Sequence, residues 1–107
     1  VDTFEEAELR IDFAGQILAV SGEERELSTR EFKLLRHLIQ NRGRVLSRDQ
    51  ILNKVWGYDY DGTPRTIDNF IVRLRRRFER NPEAPEHFHT VRGVGYRFTQ
   101  QPETPNE

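Results

Sequence analysis

The spacing of apolar residues changes twice along this 107-residue chain, and the two changes set the order of its structural elements. Over residues 4–27 apolar and charged side chains alternate, most clearly at 9–13, which is typical of half-buried strands. Over residues 28–80 apolar positions recur every three or four residues, which is typical of amphipathic helices. The period of two returns at 87–99, around a glycine-rich tip. The pattern predicts an α+β fold with an N-terminal antiparallel β-meander, three helices and a C-terminal β-hairpin.

Two capping boxes mark the starts of the first two helices. Ser28 precedes Glu31 by three positions, and Ser47 precedes Gln50 by the same distance. In such a box the serine hydroxyl accepts a hydrogen bond from the backbone N–H of the later residue, whose side chain accepts one from the serine N–H. The sequence therefore predicts helices that begin directly after Ser28 and Ser47.

The third predicted helix has two chemically opposite faces. We expect it to begin at Pro64 with Thr63 as its cap, and to run to about Arg80, where Asn81 and Pro82 end it. Placed at intervals of about 100°, its residues form an apolar stripe and an arginine-rich face. The stripe consists of Ile67, Ile71, Leu74 and Phe78, with Phe70 at its edge. The opposite face consists of Arg65, Asn69, Val72, Arg73, Arg76 and Arg80, with Thr66, Arg75 and Arg77 on its flanks.

The arginine-rich face predicts a surface that binds nucleic acid. Residues 64–80 hold six arginines, no lysine and two acidic residues, so ion pairs along the helix cannot neutralise the arginines. The planar guanidinium favours bidentate recognition of phosphate or guanine, whereas a merely solvating face would tolerate lysine. In a major groove Asn69 could pair with adenine, Arg73 or Arg76 with guanine, and Val72 could touch a thymine methyl group. The alternative is an ordinary solvated helix.

The net charge of −1 conceals two opposite halves. Residues 1–27 carry eight acidic residues against two arginines, whereas residues 28–98 carry fifteen lysines and arginines against eight acidic residues. Such asymmetry indicates a polyanion-binding surface set apart from an acidic one. The basic surface continues near the hairpin tip with Thr90, Arg92 and Arg97. An arginine there could reach into a minor groove, whose negative potential attracts it.

Several classes of function find no support in the sequence. Cysteine is absent, which excludes thiolate chemistry, and we expect no catalytic residues, no metal site and no cofactor. His87 and His89 alternate on a predicted strand without a third ligand nearby, and Asp59 and Asp61 fit a solvated turn better than an acid pair. The longest unbroken apolar run has four residues, too few for a membrane span.

The length fits a single domain. We expect residues 1–3 to be a linker remnant, residues 4–99 the folded domain and residues 100–107 a disordered tail. Because the chain begins with Val1 and contains no methionine, we expect it to be a piece of a longer protein, and its lack of cysteine fits a reducing cytoplasm.

Five segments together resemble the OmpR/PhoB family of winged helix-turn-helix effector domains from bacterial two-component response regulators. The segments are LSTREFKLL at 27–35, VLSR at 45–48, VWG at 55–57, RTID at 65–68 and TVRGVGYRF at 90–98. They follow in the family's order and spacing, and the N-terminal meander matches the extra sheet of that family. Two positions depart from it, because Phe70 and Val72 stand where relatives often carry polar or basic residues.

The resemblance implies sequence-specific binding to double-stranded DNA and transcription regulation. Residues 64–80 would be the recognition helix in the major groove, and the hairpin at 87–99 would be the wing, with Arg92 at the adjacent minor groove. The implied DNA-facing residues are Arg65, Thr66, Asn69, Arg73 and Arg75. Those implied to contact phosphates or to support the contacts are Arg48, Trp56, Thr90 and Tyr96, although Trp56 is more readily explained as a core residue.

The resemblance also implies partners other than DNA. Residues 57–63 would contact RNA polymerase, a receiver domain of the same full-length chain would control this domain, and two copies would bind tandem DNA repeats as a dimer. It implies no membrane partner and a cytoplasmic location. Two rival hypotheses stay open: a winged-helix protein-interaction module whose arginine face binds an acidic partner, and an RNA-binding domain, although no aromatic platform for unpaired bases is evident.

Overall fold

The computed structural model describes residues 3–6, 8–58, 60 and 62–99. The predicted disordered tail at 100–107, most of the predicted linker remnant, and Asp59 and Asp61 lie outside the described residues.

Four short strands between Thr3 and Arg25 form the predicted antiparallel meander. Its strands are β1 (Thr3–Glu6), β2 (Leu9–Asp12), β3 (Ile17–Val20) and β4 (Glu23–Arg25), paired in the order β1-β2-β3-β4. Leu9 and Ile11 are buried and Arg10 between them is exposed, so the alternation seen in the sequence is confirmed. The sheet begins at Thr3, which pairs with Asp12 and so belongs to β1 instead of the linker.

The first two helices begin where the capping boxes placed them. Helix α1 spans Thr29–Gln40 and helix α2 spans Arg48–Val55. The Glu31 N–H donates to Ser28 Oγ at 3.1 Å and the Ser28 N–H donates to Glu31 Oε1 at 2.7 Å, and Ser47 and Gln50 form the same reciprocal pair.

Helix α3 spans Arg65–Phe78, and both of its predicted ends need correction. At the start, Pro64 is the N-cap and no side-chain cap is present; Thr63 contributes its backbone carbonyl, which accepts from the Thr66 N–H at 3.0 Å. At the end, the helix stops two residues before Arg80, because Glu79 turns into an extended conformation. The buried Glu79 carboxylate accepts from the N–H groups of Glu86, His87 and Phe88 at 3.1, 2.9 and 2.8 Å. This anchor to the following loop ends the helix before Asn81 and Pro82 do.

The C-terminal sheet has one strand more than the sequence predicted. Strands β6 (Phe88–Val91) and β7 (Gly95–Phe98) form the expected hairpin, and β5 (Val45–Ser47) pairs with β7 on the other side. Close approach of the two backbones requires glycine at position 95, because a Cβ there would collide with the Leu46 carbonyl oxygen. Since β5 has only three residues, its apolar pattern is too short to be distinguished from a loop.

One core joins the meander, the helices and the hairpin. Helix α3 contributes its whole apolar stripe, whose four members are at most 2% exposed. Phe78 at the end of that stripe makes edge-to-face contacts with Phe88 and Phe98 of the hairpin, at ring distances of 5.1 and 5.9 Å. Because burial of such side chains stabilises the fold by roughly 1.5–3 kcal/mol each, the stripe fixes which face of α3 points outward.

Candidate nucleic-acid interface

The outward side of α3 carries the side chains that the helical spacing placed there. Five exposed residues on this side, which we call the outer face of α3, are Arg65, Asn69, Val72, Arg73 and Arg76. Val72 is 44% exposed, an uncommon position for an apolar β-branched side chain. The predicted division of the helix into a buried stripe and an exposed cationic face is thus confirmed.

Two arginines in and just after the last turn of α3 contact the acidic N-terminal part of the chain. Arg77 donates through Nη1 to the Glu26 carbonyl, and Arg80, which lies beyond the helix, forms an exposed ion pair with Glu8 at 3.6 Å. The sequence placed both residues on or beside the arginine-rich face. Their contacts confine the outer face of α3 to residues 65–76.

Arg75 connects α3 to the wing. Its Nε and Nη2 atoms donate to the Phe88 carbonyl at 3.2 and 2.8 Å, and Nη2 also donates to Thr90 Oγ1 at 2.9 Å. Its guanidinium lies 5.9 Å from the Tyr96 ring centre. Charge-assisted hydrogen bonds of this kind are among the stronger polar contacts in proteins. Arg75, predicted to face DNA, and Thr90, predicted to contact phosphates or to support those contacts, therefore bind each other and hold the wing beside the helix.

Asp68 joins two further predicted site residues. Its Oδ2 atom lies 2.9 Å from Arg48 Nη1, and its Oδ1 atom accepts from the Tyr96 hydroxyl at 2.6 Å. Burial raises the Tyr96 pKa to about 12, and the hydrogen bond to Asp68 and the negative charge of Asp68 both contribute to the shift. Asp68 was not among the predicted site residues, although it is the last residue of the RTID segment. We call Arg48, Asp68, Arg75, Thr90 and Tyr96 the helix–wing junction.

The wing tip, residues 92–94, joins strand β6 to strand β7. Arg92 is exposed, and Gly93 adopts a left-handed φ of 77° that lets the chain reverse, with the Val94 N–H donating to the Val91 carbonyl at 3.0 Å. Arg92, Gly93 and Val94 form the wing side of a cavity of about 270 Å³ whose other wall is Arg48 and Asp68.

Trp56, at the end of α2, and Thr66, in the first turn of α3, also make internal contacts. Trp56 is half-buried and packs against the core, with its ring 4.9 Å from that of Phe70 in an edge-to-face contact. Thr66 Oγ1 lies 3.3 Å from the Tyr60 hydroxyl of the preceding loop, in which Tyr58 is 87% exposed. Trp56 thus supports the helix as the core interpretation predicted.

The two histidines of the hairpin form internal contacts. His87 Nδ1 lies 2.9 Å from the Thr99 carbonyl, and His89 Nε2 lies within 3.0 Å of the Glu86 carbonyl and of Thr99 Oγ1. Across the described part of the chain, no group of three or more potential metal ligands occurs. Within the same residues, none of the helices combines the length and the apolar character needed to cross a membrane.

Comparison with known proteins identifies the family. Residues 22–98 match the family described as "Transcriptional regulatory protein, C terminal". The sensory transduction protein RegX3 of Mycolicibacterium smegmatis is 43% identical over 90 residues, which are 84% of this chain and 40% of that protein. The chain thus spans about two fifths of the length of the curated relatives that it matches.

Solved structures show the same architecture. The response regulator DrrB of Thermotoga maritima, an OmpR/PhoB homologue, superposes with a TM-score of 0.83 at 33% identity, over 92% of this chain and 44% of that one. The DNA-binding domain of RstA from Klebsiella pneumoniae, solved in complex with the RstA box, gives a TM-score of 0.80 at 34% identity, over 92% of this chain and 98% of that one. The family consists of DNA-binding transcription regulators and not of enzymes. The chain belongs to this family of transcriptional regulatory C-terminal domains, as a winged-helix effector domain of the OmpR/PhoB type.

Proposed function

We propose that this chain binds double-stranded DNA sequence-specifically and regulates transcription, with the outer face of α3 in a major groove and the wing at the adjacent minor groove. The observation that carries the proposal is the hydrogen-bonded junction between Arg75 and the wing residues Phe88 and Thr90, since it fixes a basic hairpin beside an exposed arginine-bearing helix. A major groove about 12 Å wide admits one α-helix, and a wing fixed alongside can follow the neighbouring backbone.

The residues of the outer face would divide the work of recognition. Arg73 and Arg76 have the fork geometry for guanine, Asn69 can pair with adenine, and Val72 can contact a thymine methyl group. Arg65 and Thr66, at the start of the helix, would contact phosphates and fix the register of the complex. None of these contacts makes or breaks a covalent bond, so the proposed function is binding and not catalysis.

The helix–wing junction would support binding and contribute to it. Arg75, Thr90 and Tyr96 hold the wing through internal hydrogen bonds, while Arg48 is 48% exposed and lines the cavity that it shares with the wing tip. There Arg48 can meet a phosphate while it remains paired with Asp68. Arg92 at the tip would enter the minor groove, where the negative potential favours arginine.

We propose the remaining partners because the chain belongs to the OmpR/PhoB type of effector domain. Residues 57–63, with the exposed Tyr58, would contact RNA polymerase. A receiver domain elsewhere in the full-length protein would control the domain, and two copies would bind direct repeats in tandem. The protein would act in the cytoplasm.

Selection of bound duplexes from a random pool tests the proposal. We expect one sequence motif to be enriched, and binding to that motif to weaken steeply as salt concentration rises, because cationic side chains displace counterions from phosphates. Enrichment of no motif, or binding that salt does not affect, would refute it. Stronger binding to structured RNA or to an acidic peptide than to the best duplex would favour one of the two rival functions instead.

A further inference from the structure

We propose that Phe70 is a positioning residue for Arg73: its ring holds the Arg73 guanidinium in a fixed place on the outer face of α3 and thereby sharpens discrimination at the base pair that Arg73 contacts. This inference rests on the proposed DNA-binding function and adds to it a determinant of specificity that does not itself contact a base.

The contact between the two side chains has the geometry of a cation–π interaction. The Arg73 Cζ atom lies 4.9 Å from the centre of the Phe70 ring, within the distance of about 6 Å at which such attraction is effective. Residues three positions apart on a helix are neighbours on its surface, so the contact requires no distortion of α3. Among the described residues, Arg73 is the one member of the outer face of α3 whose guanidinium lies over an aromatic ring.

The Phe70 ring is itself held in place by the side chain of Trp56. Phe70 is half-buried and meets Trp56 edge-to-face at 4.9 Å and 85°. Trp56 also contacts Arg30, whose Cζ atom lies over the Trp56 ring, 5.3 Å from its centre. Arg30 is in turn tied to the Val55 carbonyl by a hydrogen bond of 2.6 Å. The four side chains form one stack that extends from the start of α1, through Trp56 at the end of α2, to the exposed surface of α3.

Such a stack matters because a free arginine must be ordered before it can read a base. A long side chain loses rotamer freedom when it binds, and restraint in the unbound state reduces that loss. The guanidinium remains exposed above the ring, so its donors stay available to a guanine. Arg76, on the same face, has no ring beneath it among the described residues and serves as an internal comparison.

A double-mutant cycle tests the inference on the 107-residue chain with the duplex enriched by selection. Phe70→Leu removes the aromatic face but keeps an apolar side chain, and Phe70→Tyr keeps the face. Each is measured alone and combined with Arg73→Ala, and Phe70→Leu is also combined with Arg76→Ala as a matched control. Dissociation constants are measured on the selected duplex, on variants of each base pair and on a scrambled duplex, with thermal unfolding curves to establish that each variant is folded.

We expect Phe70→Leu to weaken binding to the selected duplex about two- to fivefold, the range of an exposed cation–π contact, and to relax preference at the base pair that Arg73→Ala also relaxes. Binding to scrambled DNA should stay within about twofold of wild type, and Phe70→Tyr should restore wild-type preference. In the Arg73→Ala background Phe70→Leu should have no further effect on the preference, whereas in the Arg76→Ala background its full effect should persist.

Two results would overturn the inference while leaving the proposed function in place. One is an equal effect of Phe70→Leu with and without Arg73, which would make Phe70 a packing residue only. The other is loss of preference in Phe70→Tyr as large as in Phe70→Leu. A wild-type chain that does not discriminate the selected from the scrambled duplex would instead overturn the proposed function, and the inference with it.

Discussion

The outer face of α3 and the helix–wing junction contain the same kind of side chain in different roles. Arg75 and Arg76 are consecutive on one helix, yet Arg75 makes three hydrogen bonds to the wing and Arg76 is exposed. The difference arises because the Phe88 carbonyl and the Thr90 hydroxyl approach one side of the helix and not the other. An arginine near a binding surface is therefore scaffold or ligand contact according to the acceptors that the fold places beside it.

The largest expected effect is a loss of DNA affinity and base preference, which we expect from substitution in the outer face of α3. We expect Arg73→Ala to weaken binding to the selected duplex by about 1–3 kcal/mol and to relax preference at one base pair, because a bidentate contact to a base edge is lost. Titration of labelled duplexes measures both. Lys33→Ala removes the same charge from an exposed position on α1 and serves as the control. An equal loss on scrambled DNA would assign Arg73 to the phosphate backbone instead.

The next effect concerns folding. We expect Arg75→Ala to lower the free energy of unfolding by about 1–2 kcal/mol, because the Phe88 carbonyl and Thr90 lose charged donors. Arg76→Ala should stay within about 0.5 kcal/mol of wild type, as is usual for exposed positions. Urea denaturation of the two neighbouring variants gives a direct comparison. If both variants were equally stable, the junction contacts of Arg75 would not contribute to the fold.

The elements that the sequence predicted correctly are those determined by local pattern. The starts of α1 and α2 depend on residues three positions apart in Ser28–Glu31 and Ser47–Gln50, and both boxes form. The buried stripe and the outer face of α3 follow from helical geometry alone, and their exposure agrees with the prediction. Such features can be read from one segment because their partners lie within one or two helical turns.

The features that were missed depend on residues far apart in the chain. Strand β5 exists because β7 pairs with it, about fifty residues later. Helix α3 ends early because the Glu79 carboxylate caps backbone groups of the loop at 86–88. The internal role of Arg75 requires the Phe88 carbonyl, which no local pattern places beside the helix. In each case a tertiary contact overrides or completes the local signal.

A smaller effect on DNA affinity is expected from substitution at the wing tip. Arg92 is exposed and projects from the turn at Gly93, so we expect Arg92→Ala to leave the free energy of unfolding nearly unchanged. It should weaken binding on any duplex and reduce the slope of log affinity against log salt concentration by about one, since one phosphate contact is lost. Binding measured at several salt concentrations tests this. An unchanged slope would remove Arg92 from the phosphate contacts.

The last effect is absent at neutral pH, where the Tyr96 hydroxyl is protonated in both the folded and the unfolded chain. The fold raises the Tyr96 pKa from 10.0 to about 12, chiefly by burial and then through Asp68, so the folded chain retains a proton that the unfolded chain releases above pH 10. Stability that depends on this proton is complete below pH 10 and is lost as pH rises toward 12. We therefore expect the free energy of unfolding of wild type to fall more steeply between pH 10 and 12 than that of Tyr96→Phe, which has no proton to release there. Denaturation curves across this range measure both slopes, and equal slopes would mean that the fold does not raise the Tyr96 pKa.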